Sequence, residues 1–219
     1  DLGAKIVLDP PKPLINMINK MKIDYINLDK TKEPQYDYYV SIASLPLIFN
    51  TDLNSIPKET PYLFTPEVLK KKWCEKLETK KRKKIGIKWT GSKKYVDDKY
   101  RSTNLKNLIN LFDLSLDFHS LEIEYRDDDE NLLKNIKNLH CHKKEIVGFD
   151  NTAGLIESMD LILTTDTSVA HLSGALGKEV WIMLPLVPDF RWLLKTERTP
   201  WYPTAKLYRQ TKKDDWKSL

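Results

Sequence analysis

Between residues 84 and 210 short apolar runs alternate with stretches of helical spacing, and that alternation restricts the chain to few folds. Lys84–Trp89 places apolar side chains on every second position and predicts a strand. A polar loop follows, then a helix over Asn104–Phe112 and a strand over Phe118–Tyr125. An acidic turn at Asp127–Glu130 leads into helical spacing up to Ile136, and Glu145–Phe149 reads as strand. Asp150 can cap a helix reaching Met159. Leu161–Thr165 is expected as a buried strand, Thr167–Leu176 as a helix closed by Gly177, and Val180–Leu184 and Lys206–Gln210 as the last strands. Strands joined by helices require right-handed crossovers and a parallel sheet covered on both faces. Residues 84–219 are therefore expected to form one complete, doubly wound, Rossmann-like α/β domain.

The first third is thinner. Lys5–Leu8, Tyr25–Leu28 and Tyr38–Ile42 read as short strands, and Leu14 to Met21 shows a helical face. The prolines at 46, 57, 61 and 66 suggest a crossing connection rather than a packed element. Residues 1–66 are expected to be a partial α/β domain with too few strands to close a core. Residues 67–83 read as a helix, Glu67–Leu77, followed by a basic linker.

Composition narrows the class. Apolar residues make up 41% and charged residues 31%, so a disordered chain is excluded. The longest apolar stretch, Val180 to Val187, is far short of the roughly 18 residues of a membrane-spanning helix. The opening Asp1-Leu-Gly-Ala-Lys5 carries no secretory h-region and reads as a piece of something longer. The net charge is +5, with a cationic run at Lys80–Lys84. No aromatic residues interleave with that run, so a solvated linker is favoured over a nucleic-acid surface. Cys74 and Cys141 match neither a disulfide framework nor a zinc spacing, which fits a reducing, cytoplasmic setting.

In open α/β sheets ligands bind beyond the carboxyl ends of the strands. After Leu161–Thr165 the chain runs through Asp166-Thr167-Ser168 straight into a helix, with His171 on the same face of its first turn. Hydroxyls and free N–H groups at a helix start can hold a phosphate or diphosphate, although an ordinary N-cap would use the same residue types. Asp166 is expected either to cap that helix or to accept a sugar hydroxyl. The loop after Trp89 contributes Thr90, Gly91, Ser92 and the cation Arg101, without a dinucleotide or nucleotide-triphosphatase fingerprint. Pro185 to Trp201 could line a pocket or form a lid. His140-Cys141-His142 lacks the spacing of a metal site, and Ser120, Ser168 and Ser173 lack the surroundings of a hydrolase nucleophile.

Taken in order, Ile85-Gly-Ile-Lys-Trp-Thr-Gly-Ser92, Arg101-Ser102, Asp166-Thr-Ser-Val-Ala-His-Leu172, Gly174-Ala-Leu-Gly-Lys178, Trp181 to Pro185, Asp189-Phe-Arg-Trp-Leu-Leu194 and Pro200-Trp-Tyr-Pro203 resemble the family 9 glycosyltransferases. That group includes the ADP-heptose:lipopolysaccharide heptosyltransferases. The resemblance is greatest to the branch often fused to tetratricopeptide repeats. Residues 84–210 carry it best, and Ser44-Leu-Pro46, Ile56-Pro57 and Pro61-Tyr62 extend it into the first third.

The resemblance implies a GT-B architecture, two Rossmann-like domains with the active site between them, of which the first is incomplete here. It implies an inverting, metal-independent transfer of a sugar from a nucleoside-diphosphate donor to a glycan or protein acceptor, with no cofactor. Thr90, Gly91, Ser92, Arg101, Asp166, Thr167, Ser168 and His171 would be the donor-binding residues. The family's acceptor-side base is an Asp near a Gly-rich N-terminal loop. No such loop precedes Lys5–Leu8, so no catalytic residue is assigned. The alternatives are a non-catalytic nucleotide-sugar module and an epimerase of the same architecture. Open strand edges in the first third would favour self-association.

Overall fold

The computed structural model describes residues 3–18, 21, 23–26, 31–32, 34–77 and 82–219. In chain order the elements are β1 (Val7–Leu8), α1 (Ile15–Ile18), β2 (Tyr25–Ile26), α2 (Leu45–Ile48), α3 (Glu67–Leu77), β3 (Lys84–Lys88) and α4 (Asp98–Arg101). There follow β4 (Asp117–Ser120), α5 (Asp127–Leu133), β5 (Leu139–Cys141), α6 (Gly148–Glu157), β6 (Leu161–Thr165), α7 (Ser168–Ala175), β7 (Val180–Leu184) and β8 (Ala205–Arg209). The strands β3 to β8 form one parallel six-stranded sheet in the order β5-β4-β3-β6-β7-β8. The order runs outward in both directions from β3 and β6, so the crossovers reverse direction between those two strands. This is the doubly wound α/β arrangement expected from the alternation.

Two cores cover the two faces. One gathers Ile162, Val180, Ile182 and Leu207 from the sheet against Leu155 and Ile156 of α6, Val169 and Leu172 of α7 and Trp73 of α3. The other packs Ile85, Ile87, Phe118 and Leu139 against Leu105, Leu108 and Trp216. Strands buried on both sides must be apolar nearly throughout, which is why β6 and β7 read as runs rather than as clean alternation. No helix among the described residues is long and apolar enough to cross a membrane.

Three elements, α3, β6 and β7, fall on the residues their patterns predicted, and β3 ends one residue early. Other expectations are corrected. Residues 145–147 form no strand; the edge strand is β5, paired Phe118↔Leu139. Glu145 N and Ile146 N instead bond His142 O, turning the chain towards α6. Asp150 lies in the first turn of α6 rather than at its cap. The helix expected over Asn104–Phe112 is 3₁₀ over Leu105–Asp113, with Asn104 Oδ1 accepting from Asn107 N at 3.0 Å. The acids Asp127–Glu130 are the first turn of α5, where carboxylates complement the helix dipole. The strand expected to reach Tyr125 stops at Ser120, because Glu122 turns back to bond the end of β3.

The first third departs most. Tyr38–Ile42 is not a strand: residues 38–41 are irregular, and a 3₁₀ turn at Ile42–Ser44 leads into the single turn of α2. Pro46 in that first turn suits a helix and not a ladder. β1 and β2 pair in parallel as two-residue strands. Residues 27–28 of the expected second strand, 19–20 of the expected helix, and Lys80 and Lys81 of the cationic run lie outside the described residues.

Candidate functional site

A cavity of about 450 Å³ opens at the carboxyl ends of β3, β4 and β6, where the crossovers reverse. One wall is the start of α7, with Asp166, Thr167, Ser168 and His171. The facing wall is the loop after β3, with Gly91, Ser92 and Arg101. Seven of the eight residues named from the sequence thus meet in one cavity. Thr90 does not: it is buried beneath, and its hydroxyl donates to Glu122 Oε2 at 2.9 Å. Its role is to hold the loop.

Thr167 is the N-cap of α7, its Oγ1 accepting from Val169 N at 3.3 Å and lying 3.2 Å from Thr164 Oγ1. That leaves the Asp166 carboxyl uninvolved in the cap. It faces His171 Nε2 at 4.0 Å, with only 8% of the residue exposed. Burial pushes the carboxyl above its ordinary range, opposed by the Trp192 side chain, His171 and Arg101. Burial also lowers His171, against the pull of Asp166, so the ring is neutral at neutral pH. Its Nδ1 lies 3.0 Å from Tyr202 Oη, and its ring stacks on Trp192 at 5.1 Å and 19°. Ser168, at the helix start, is exposed to the cavity.

The facing loop is built as firmly. Gly91 N donates to Ser102 Oγ at 2.7 Å, and Ser102 Oγ donates to Asp98 Oδ1 at 2.9 Å. Buried Asp98 also holds two guanidinium groups, those of Arg101 (3.5 Å) and Arg126. Arg101 is stacked over the Tyr95 ring at 4.3 Å. A Cβ on Gly91 would sit 2.2 Å from Asp98 Oδ1, so only glycine lets this loop close on its own anchor. Two cations on one carboxylate leave net positive charge at the rim.

The floor was not foreseen. Lys88 and Glu122, both lining the cavity, form a buried ion pair at 2.6 Å. Glu122 also accepts from Trp89 N at 2.8 Å and Thr90 N at 2.6 Å, so its carboxylate is satisfied from four directions. One signal was available: a lysine at the buried carboxyl end of a central parallel strand requires a buried anion. Ile123 and Glu124, just beyond Glu122, complete that side.

The loop after β7 is split between the two readings left open for it. Trp192 is fully buried under His171, whereas Phe190 and Leu194 are exposed. Elsewhere, His119, His140 and His142 stack together, with His119 Nδ1 3.0 Å from His142 Nε2. No group of three or more His, Cys, Asp or Glu side chains among the described residues is arranged to hold a metal ion.

The arrangement suits an anionic ligand with hydroxyl groups. The α7 N-terminus and Arg101 supply positive field, Lys88 being neutralised by Glu122, the Ser168 and Ser92 hydroxyls can donate, and the buried Asp166 carboxyl can accept from a sugar hydroxyl. No family model and no curated protein matches the chain. Among solved structures, E. coli ADP-heptose lps heptosyltransferase II is similar at 18% identity, with a TM-score of 0.49, over 72% of this chain and 48% of that chain. The chain spans about half the length of that structure.

Proposed function

We propose that the cavity binds a nucleoside-diphosphate sugar and that the chain is the donor-binding part of a glycosyltransferase. The observation that carries this reading is the meeting, at the reversal point of a parallel sheet, of a helix N-terminus, an anchored arginine and a buried carboxylate. It agrees with the resemblance of residues 84–210 to family 9 glycosyltransferases.

In such a transfer the acceptor hydroxyl attacks the anomeric carbon and gives up its proton to solvent or to the departing diphosphate, while the bond from that carbon to the diphosphate oxygen breaks and the diphosphate leaves with the bonding pair. Charge builds on the leaving oxygens. In this reading Arg101 and the α7 dipole stabilise it, with no metal or cofactor assigned to that task. Asp166 orients the sugar by accepting a hydrogen bond from one of its hydroxyls, and Ser168 and Ser92 donate to phosphate oxygens. The acceptor, a glycan or protein, would enter from the side of residues 1–66, and inversion at the anomeric carbon follows from the single displacement.

Calorimetric titration with UDP, GDP, ADP and CDP, and with their sugar conjugates, tests the reading. One diphosphate should bind selectively, and Ser168→Ala with Asp166→Asn should weaken its sugar conjugate by about 1–3 kcal/mol. A folded chain that binds none of them would refute the donor site. Binding without turnover towards any acceptor would leave a nucleotide-sugar module. Isomerised donor formed without acceptor would mark an epimerase.

A further inference from the structure

The side of His171 turned away from the cavity is held by groups that the reading above does not use. Tyr202 lies against α7 where Gly174 leaves room, since a Cβ at 174 would sit 2.3 Å from the Tyr202 ring. From there its hydroxyl reaches His171 Nδ1 at 3.0 Å. The backbone N–H groups of the neighbouring Tyr62 and Leu63 both donate to Ala175 O, at 3.0 and 3.2 Å. Stacking on Trp192 fixes the ring plane. The imidazole is therefore fixed in its plane and at Nδ1, and its Nε2 points at Asp166 Oδ1.

A neutral imidazole carries one proton, on either nitrogen. With the proton on Nδ1, the Nε2 lone pair would face a carboxylate oxygen and any bound phosphate, which is repulsive. With the proton on Nε2, that edge turns an N–H towards Asp166 and towards an anion in the cavity, and Nδ1 needs a donor. We propose that Tyr202 is a positioning residue that supplies this donor, holding His171 as the Nε2–H tautomer so that it presents an N–H to the ligand cavity. Burial raises the Tyr202 hydroxyl above its ordinary value, which favours the protonated form that can donate. The groups acting on His171 from its surroundings are Asp166, Arg191, Asp189 and Arg101, and burial outweighs them in keeping the ring uncharged.

The functional part of this inference rests on the cavity binding a diphosphate; the tautomer itself does not. Long-range ¹H–¹⁵N NMR on the full chain reads the tautomer of each of its 4 histidines, with His171 identified by the signals lost in His171→Gln. The expected result is Nε2–H in the unaltered chain and a shift towards Nδ1–H or a mixture in Tyr202→Phe. Tyr62→Phe, which removes a neighbouring hydroxyl without touching Nδ1, should leave the tautomer unchanged. An Nδ1–H ring in the unaltered chain overturns the proposal. So does an unchanged tautomer in Tyr202→Phe, or an equal change in both variants, which would mean general loosening.

Titration with UDP, GDP, ADP and CDP supplies the second readout. Tyr202→Phe should bind the preferred diphosphate about threefold to tenfold more weakly, the effect of one neutral hydrogen bond. Unchanged affinity beside a changed tautomer overturns the role in ligand binding. If no diphosphate binds even the unaltered chain, the donor-site reading fails, and the NMR result alone decides whether Tyr202 positions His171.

Discussion

Residues 34–53 and residues 161–184 carry comparable shares of apolar side chains, yet they end up in opposite environments. In the second stretch Ile162, Val169, Val180 and Ile182 are buried. In the first, Tyr38 is 94% exposed and Leu47 81% exposed, and Tyr39 and Ile42 also face solvent. The difference lies in partners. β6 has β3 on one side and β7 on the other, with α6 and α7 over one face. Residues 34–53 pair with no strand among the described residues. Apolar composition supplies the drive to bury, but burial requires a second surface to bury against.

The sharpest way to break this comparison is to cut a large side chain from each region. Trp73→Ala removes a fully buried ring and should cost about 3–5 kcal/mol in chemical denaturation, whereas Leu47→Ala should change stability by no more than about 0.5 kcal/mol. Equal costs would show that residues 34–53 are packed in solution.

Acid should unfold the sheet domain through its histidines. Burial lowers His119 from 6.5 to about 3, and it lowers His142 as well. Because the unfolded chain takes up these protons first, the stability is complete above about pH 6.5. It is lost progressively as pH falls towards 3. His119→Asn should flatten the upper part of that decline in denaturation midpoints measured across pH. The lower part, from carboxyls such as Glu145 and Asp160 held below their ordinary range, should remain.

Closer to the site, Gly174→Ala drives a methyl group into the Tyr202 ring and should cost about 1–3 kcal/mol. Thr167→Ala removes the α7 cap and should cost about 1 kcal/mol. No loss in Thr167→Ala would mean that the hydroxyl serves the ligand alone. The smallest change in stability is expected at the exposed stretch. Leu47→Lys with Phe49→Lys should shift it by less than about 0.5 kcal/mol, while reducing concentration-dependent association in sedimentation velocity. Unaltered sedimentation would show that the apolar face does not drive self-association.

The same contrast governs how much was legible in advance. β6, β7 and α3 could be placed to the residue because their patterns are long and their boundaries carry local signals. β5 was misplaced because Leu139–Cys141 is only three residues long and exists through its pairing with β4. Tyr38–Ile42 has the residue types of a strand but pairs with no strand among the described residues. In the site, Asp166, Ser168 and His171 were legible because strand, cap and first turn are contiguous in the chain. Glu122 was not, since its partners Lys88, Trp89 and Thr90 are more than thirty residues away.

What the sequence by itself determined is the local grammar: alternating elements, the helix that opens at Thr167, and hence which loops lie at the carboxyl ends of the strands. What only the tertiary structure decided is the use of each polar group there. Thr167 became the cap and left Asp166 to face His171, Thr90 was drawn beneath the cavity by Glu122, and Tyr202 was brought to Nδ1 across 31 residues of chain. The physical reason is range. Propensity and capping act over a turn or two of chain, whereas burial, ion pairing and the choice of proton on a ring depend on whatever the fold brings within a few ångströms.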